Sequence, residues 1–340
     1  MRNRRFPTTV PSIRRWGYGS MLLFATLGVA SLVGCRDQED GRVRLRMAYV
    51  YELNSPTHLF GTSRLNQELE DASSDLRLTL YPAAQLGNEE ELLEQLVAGE
   101  LDLAITGPSF LAMWHRPLGV FDAAFAFTSQ RQMLQVADGD EIRPHWDQLR
   151  ERFGIRVLAT WAYGERHLTA NRPIRHPSQL KGFRLRLPAA RVWQESGAAL
   201  GASPMPLPFS EVYMALQQGV ADGQENPIPV IQSMGFQEVQ KYLMLTGHIQ
   251  SSIQVLVNEQ RWQRLTPKQQ HNLRETIRMR GEDILAGIEL QEGELLDRWQ
   301  HDGTLQIIDD VDIAAFRKRA HHHFRQGFDF SPLYRQINNL

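Results

Sequence analysis

Four side chains in the middle of the chain could do chemistry together: Arg166, Arg186, Phe209 and Asn226. They fall within RHLTANRPI, LKGFRLRLP, GASPMPLPFSEVYMALQQG and VADGQENP, at the ends of successive short elements. A guanidinium is a planar, permanently charged fork that matches a carboxylate. An aromatic ring and a carboxamide add an apolar wall and a two-sided hydrogen-bonding group. That set suits the capture of a small organic anion better than its conversion. No GxGxxG, P-loop, HExxH, CxxC or GxSxG accompanies it, so neither a cofactor nor a metal is expected. The run His321-His322-His323 reads as a solvated helix face, because consecutive helical residues diverge around the axis.

Each residue also has a plainer reading. Phe183, Leu185 and Leu187 alternate with Arg184 and Arg186 in a strand that ends at Pro188. Such a strand is covered on both faces, so a buried arginine there needs a partner, a structural carboxylate or a ligand. Ligands of open α/β sheets lie outside the carboxyl ends of strands, which favours the ligand at Arg186 and a salt bridge at Arg184. Arg166 follows the strand-like Val157–Trp161 in what reads as a loop, where an exposed arginine is ordinary and spacing alone does not decide. Phe209 and Met214 occupy the two places of a hydrophobic staple around a Ser210 cap, which accounts for Phe209 without any ligand. Asp222–Pro227 is turn-rich, so Asn226 is either a loop residue or a ligand contact. Glu89, Glu90 and Glu91 read as favourable charge at a helix N-terminus.

The elements that would position these residues follow from periodicity. Val43, Leu45 and Met47 alternate in a strand, and Ser55-Pro56 opens a helix to about Ala72. Leu76, Leu78 and Leu80 form a second strand. Asn88 and Glu91 have capping-box spacing before a helix stopped by Gly99, and Leu101–Thr106 is a buried-type strand. That β-α-β-α-β order implies a parallel sheet. Beyond Arg186 the pattern repeats, with a strand over Ile253–Val257 and a capped helix from Thr266-Pro267 to about Trp299. The expected fold is α/β: two open sheets in two lobes, joined by hinge strands and a long bridging helix. Lobe I takes residues 43–163 plus 252–291, and lobe II takes 164–251 plus 292–340.

The N-terminus has other work. Arg2, Arg4, Arg5, Arg14 and Arg15 precede the apolar Met21–Val33, which is too short to span a bilayer. Leu32-Val33-Gly34-Cys35 resembles a lipobox, so residues 1–34 are expected to be a lipoprotein signal peptide, with the only cysteine, Cys35, lipidated and residues 35–42 a tether. Removing the leader leaves 32 Lys and Arg against 39 Asp and Glu, a formal net charge of −7 that offers nucleic acid no basic footprint. The expected location is the periplasm of a Gram-negative bacterium, anchored to a membrane.

The blocks YPAAQLGNEEELLEQLVAGELDLAI, NRPI…LKGFRLRLP, GASPMPLPFSEVYMALQQGVADGQENP and FQEVQKYLMLTGHI resemble the DctP family of solute-binding proteins, which serve TRAP (tripartite ATP-independent periplasmic) transporters. The resemblance runs from about Val43 to the C-terminal region. It implies a receptor, not an enzyme, that closes on an organic acid between two lobes and delivers it to small and large integral membrane subunits. It also implies that Arg186 pairs bidentately with the substrate carboxylate, that Arg166, Phe209 and Asn226 line the same site, and that positions near Glu89, His58 and Gly107 vary with the substrate. Sialic-acid-binding relatives tend to read RVPNA where this chain has Arg186–Ala190, and carry an acid near Gly107; both departures argue against sialic acid. A sugar acid such as a uronate or aldonate is favoured, and a C4-dicarboxylate comes next. Two alternatives are an exported carbohydrate-active enzyme using Asp222 and Glu225 as paired carboxylates, and a receptor for a sensor kinase.

Overall fold

The computed structural model describes residues 41–340, so the expected leader and the Cys35 anchor lie outside the described residues. Nine strands are described: β1 (Val43–Tyr49), β2 (Leu76–Tyr81), β3 (Leu103–Thr106), β4 (Ile155–Ala170), β5 (Arg184–Leu187), β6 (Ser203–Pro206), β7 (Gly223–Pro227), β8 (Tyr242–Asn258) and β9 (Gln306–Ile308). They form one mixed sheet in the order β2-β1-β3-β8-β4-β7-β5-β6, with β9 also on β8. The class is α/β. The two expected sheets are continuous through β4 and β8, of 16 and 17 residues, which pair antiparallel from Ile155↔Asn258 to Ala170↔Tyr242.

Strand direction explains where a site must lie. β3 pairs antiparallel with the C-terminal end of β8, from Leu103↔Val257 to Thr106↔Gln254, and β1 and β2 run parallel to it. β7 pairs antiparallel with the far end of β4, from Gly223↔Ala170 to Pro227↔Arg166, and β5 and β6 run parallel to β7. The two sets of parallel strands therefore run toward each other along β4. Their carboxyl ends face one gap, opposite residues 161–165 of β4. A ligand of either half, bound by the usual rule, would sit in that gap.

Several local expectations change, each for a physical reason. The loop expected after Trp161 is strand, because β8 gives the backbone a continuous partner and register shifts at Ala162/Gly164 and Arg166/Leu168 absorb the bend. Gly164 has φ +118°, and a Cβ there would meet Pro227 at 2.8 Å. The expected turn Asp222–Pro227 is largely the buried strand β7. Gly223 permits it, since a Cβ would sit 2.2 Å from the Thr169 carbonyl oxygen. The helix expected from Ser55 is broken into Thr57–Gly61, Thr62–Arg64 and Leu65–Asp71, of which only the last is α-helical; the Ser55 hydroxyl donates to the Glu52 carbonyl and accepts from the His58 N–H at 3.4 Å, at the head of the first, irregular turn. Ser210 caps nothing: it lies inside the turn Phe209–Glu211, and Met214 is half exposed, so no staple forms.

Two helices start as their sequences predict. Asn88 and Glu91 make a reciprocal capping box for Glu89–Ala98, and Thr266 and Gln269 make one for Pro267–Asp302. The latter has 36 residues, about 54 Å at 1.5 Å per residue. Trp161, fully buried at the gap, donates its indole N–H to the Ile277 carbonyl in that long helix at 2.9 Å.

Candidate functional site

The gap holds a small cavity of about 40 Å³ lined from both sides of the gap. Strand ends supply much of its lining: Tyr51 after β1, Gly107 and Phe110 after β3, Tyr163 and Arg166 in β4, Arg186 and Pro188 at the end of β5, and Asn226 in β7. Glu89, Asp122, Trp193 and Phe209 enter from helices and turns, and Ser251, Ser252 and Ile253 from β8.

Arg186 is 1% exposed and, among the described residues, has no carboxylate hydrogen-bonded to it. Its Nε and Nη2 both donate to the Leu207 carbonyl, at 3.1 and 2.6 Å, and its Nη1 is buried without a partner among the described residues. Burial pulls its pKa down to about 10, partly offset by Glu89 and Glu225, so the guanidinium stays charged at neutral pH. The Phe209 ring lies 5.8 Å from Arg186 Cζ and packs edge-on against Phe236 at 6.4 Å. A buried cation with N–H groups to spare is costly without an anion, and this one lines a cavity that could admit one. By contrast Arg184 makes the structural salt bridge its position implied, to Asp222 at 2.5 Å.

Arg166 is internally neutralised. Its Nε donates to Glu225 Oε2 at 2.5 Å, and its Nη2 to Glu225 Oε1 at 2.8 Å and to Asn226 Oδ1 at 2.9 Å. Burial pushes the Glu225 carboxyl up, but the charge and hydrogen bonds of Arg166 outweigh it and hold the pKa below the ordinary range. His248 Nε2 lies 3.3 Å from the same carboxylate. Arg166 Cζ stands 4.5 Å over the Trp193 ring and 5.9 Å from that of Tyr163, so the guanidinium is fixed in plane. Asn226 is fixed in turn, its Nδ2 donating to Gln224 Oε1 at 2.5 Å.

Arg186, Arg166, Asn226, Phe209 and Glu89 thus converge on one cavity. His58 is a correction: it is not among the lining residues. Its Nδ1 lies 2.7 Å from the Tyr49 hydroxyl, which in turn meets Thr62 Oγ1 at 2.7 Å, so the ring belongs to a hydrogen-bonded cluster beside β1. Glu89 is half buried, and burial raises its carboxyl pKa against the lowering effect of Arg186. Sequence reasoning missed Tyr51, Asp122, Tyr163 and Trp193. Only Asp122 carried a visible signal, as the one acid in the apolar run Val120–Phe127.

The paired-carboxylate alternative does not assemble. Asp222 is bonded to Arg184 and lies outside the cavity, while Glu225 is neutralised by Arg166. Among the described residues no group of three or more His, Cys, Asp or Glu side chains could hold a metal ion, and no helix is long and apolar enough to cross a membrane.

A buried guanidinium with an unused N–H, lining a cavity between converging strand ends, is the arrangement that a receptor for a small organic anion needs. The profile of the bacterial extracellular solute-binding proteins of family 7, the DctP family, matches residues 47–329. The chain belongs to that family, whose members are extracytoplasmic receptors for small organic acids in TRAP transport, not enzymes. The sialic acid-binding periplasmic protein SiaP of Vibrio cholerae is 33% identical over 279 residues, covering 81% of this chain and 82% of its own. A TRAP periplasmic solute-binding protein from Roseobacter denitrificans, solved with bound L-galactonate, matches with a TM-score of 0.80 at 29% identity, over 87% of this chain and 98% of that one. Another, from Ochrobacterium anthropi with bound L-fuconate, matches with a TM-score of 0.81 at 29% identity, again over 87% and 98%.

Proposed function

We propose that this receptor captures a sugar acid, an aldonate or uronate ahead of a C4-dicarboxylate, by pairing its carboxylate with Arg186. The observation that carries the reading is the buried Nη1 of Arg186, which faces no internal acceptor. A ligand carboxylate would take Nη1 together with the second hydrogen of Nη2 in a bidentate contact. Phe209 would wall the apolar face of the ligand. Asn226 and Arg166, held by their own hydrogen bonds, would shape the far side. The galactonate and fuconate of the two solved relatives support a sugar acid. Ala189 and Gly107, where sialic-acid-binding relatives tend to carry an amide and an acid, weigh against sialic acid itself.

The lobes would be 43–163 with 252–291 and 164–251 with 292–340, bending where β4 and β8 cross between them. Closure around the ligand would dry the carboxylate–Arg186 pair and strengthen it, and that difference in affinity would shift the population toward the closed form. Cys35 would tether the protein to a membrane, within reach of the small and large integral subunits that receive the solute.

Thermal unfolding against a panel of aldonates, uronates, sialic acid and C4-dicarboxylates tests the proposal. A ligand at about 1,000 times its Kd adds about 4 kcal/mol, which for a chain of this size raises Tm by roughly 6 °C. A shift of that kind from one chemical class, absent in Arg186→Ala, is the expected result. No shift across the panel would refute it.

A further inference from the structure

Asp122 is the cavity residue that the receptor reading leaves without a task. It is fully buried within the run Val120–Phe127, and its position is set from three sides. Its Oδ2 accepts both the backbone N–H and the hydroxyl of Ser109, standing in for the side-chain cap that Gly107 cannot give the short helix Pro108–Leu111. Its own carbonyl accepts from the Ser196 hydroxyl at 2.9 Å, and the same hydroxyl accepts from the Ala124 N–H at 3.1 Å. Capping therefore explains one oxygen. The other, Oδ1, is buried with no hydrogen-bond partner among the described residues. Gly107 lines the cavity beside it, and even a Cβ there would come only to 4.0 Å of Oδ2, so no side chain from that position screens the carboxyl.

The charges around the cavity say what Oδ1 can receive. Of the two guanidiniums in its lining, Arg166 is engaged by Glu225 and Asn226, and Arg186 holds the unused Nη1. Two carboxyls line the rest, Asp122 and Glu89. One ligand carboxylate has a cation to meet. A second would be brought among acids in a largely buried cavity, where like charges repel more strongly than in water. Above about pH 7 the Asp122 carboxyl is ionised despite its burial, and a hydroxyl then donates to its acceptor-only Oδ1 and satisfies it.

We propose that Asp122 is a specificity-determining residue, its Oδ1 accepting a hydrogen bond from a hydroxyl of the bound acid and selecting a polyhydroxylated monocarboxylate over a dicarboxylate. The inference rests on the reading of Arg186 as the carboxylate anchor. Asp122→Asn keeps the acceptor for Ser109 and turns the free position from acceptor to donor. A hydrogen bond to a charged group corresponds to about a 10- to 100-fold change in affinity.

The test is calorimetric titration at pH 8, where the Asp122 carboxyl is ionised, of wild type, Asp122→Asn and Arg186→Ala with L-galactonate, D-gluconate, D-glucuronate, succinate and L-malate, followed by singly deoxygenated aldonates on the first two proteins. Expected is a wild type that prefers the hydroxy acids, with Asp122→Asn losing about 10- to 100-fold for them and not for succinate. A purely structural role would weaken both classes alike. One deoxy-aldonate should lose affinity for wild type and not for Asp122→Asn. That comparison needs only wild-type protein for its first half, so it stands even if the variant is unstable. Three results overturn the inference: equal losses for both ligand classes, no deoxy position that discriminates, or a wild type that prefers succinate. If any of these appears while Arg186→Ala still abolishes binding, the receptor reading survives and only the role of Asp122 falls. If no acid of either class binds wild type, both fall.

Discussion

Replacing Arg186 by lysine isolates what the fork contributes beyond its charge. The guanidinium spends Nε and Nη2 on the Leu207 carbonyl and still offers Nη1 and the second Nη2 hydrogen to the cavity. A lysine ammonium is a single point with three hydrogens on a flexible stem. It can hold Leu207 or meet a carboxylate well, but not in the two-bond planar geometry. Losing one charge-assisted hydrogen bond of the pair costs about 1.5–3 kcal/mol, or roughly a 10- to 150-fold weaker Kd. Arg186→Ala removes both bonds and the charge, and the expected loss is larger, about 3–5 kcal/mol. Calorimetric titration with the acid that gives the largest thermal shift measures all three proteins. The ordering wild type, then lysine, then alanine is expected. Lysine binding as tightly as arginine would show that bidentate pairing is not the source of affinity, and alanine binding as tightly would remove Arg186 from the site.

Three further outcomes follow from the same geometry. Glu225→Gln leaves the buried Arg166 charge without its counter-ion, so unfolding should become easier by about 3–5 kcal/mol; an unchanged Tm would mean that the pair is not formed. Gly223→Ala puts a Cβ 2.2 Å from the Thr169 carbonyl oxygen and should destabilise by about 1–3 kcal/mol or more, seen in denaturant midpoints, whereas a neutral effect would argue against the β4–β7 register. Burial, ahead of the opposing Ser109 and Arg166 effects, raises the Asp122 pKa from 3.8 to about 7, so the folded state holds a proton that the unfolded state releases near pH 4. Stability from this group is therefore full below about pH 4, falls as pH rises toward 7 and is level above, a span of about 4 kcal/mol. Denaturation of wild type and Asp122→Asn between pH 5 and 8 should show the wild type losing ground to the variant; parallel curves would refute the shift.

Much of this molecule can be read from its sequence where signals are local. Capping boxes at Asn88 and Thr266 identify two helix starts, and alternation identifies β1, β2 and β5. The carboxyl-end position of Arg186 singles it out because strand direction is a short-range property of the β-α-β order. What stays hidden depends on partners far away in the chain. Arg166 sits in a strand only because β8, some 80 residues later, pairs with it, and turn-rich Asp222–Pro227 becomes strand only because β4 and β5 enclose it. Phe209 reads as half of a staple until Phe236 is seen to be its neighbour. The tertiary environment overrides propensity at each of these places. The Glu225–Arg166 pairing and the free oxygen of Asp122 are consequences of packing that no spacing rule expresses.

The unused valences of Arg186 and Asp122 have a bearing on protein engineering. Both are buried polar atoms whose desolvation no internal contact offsets. A selection for heat resistance carried out without solute would reward apolar replacements at or around these two positions, since removing an unmet buried charge commonly stabilises a fold. The variants recovered would be sturdier and blind. Running the same selection with solute present would reverse the incentive at both positions, so the two sequence pools should diverge first in the lining of this cavity and last in the helices that cover the sheet.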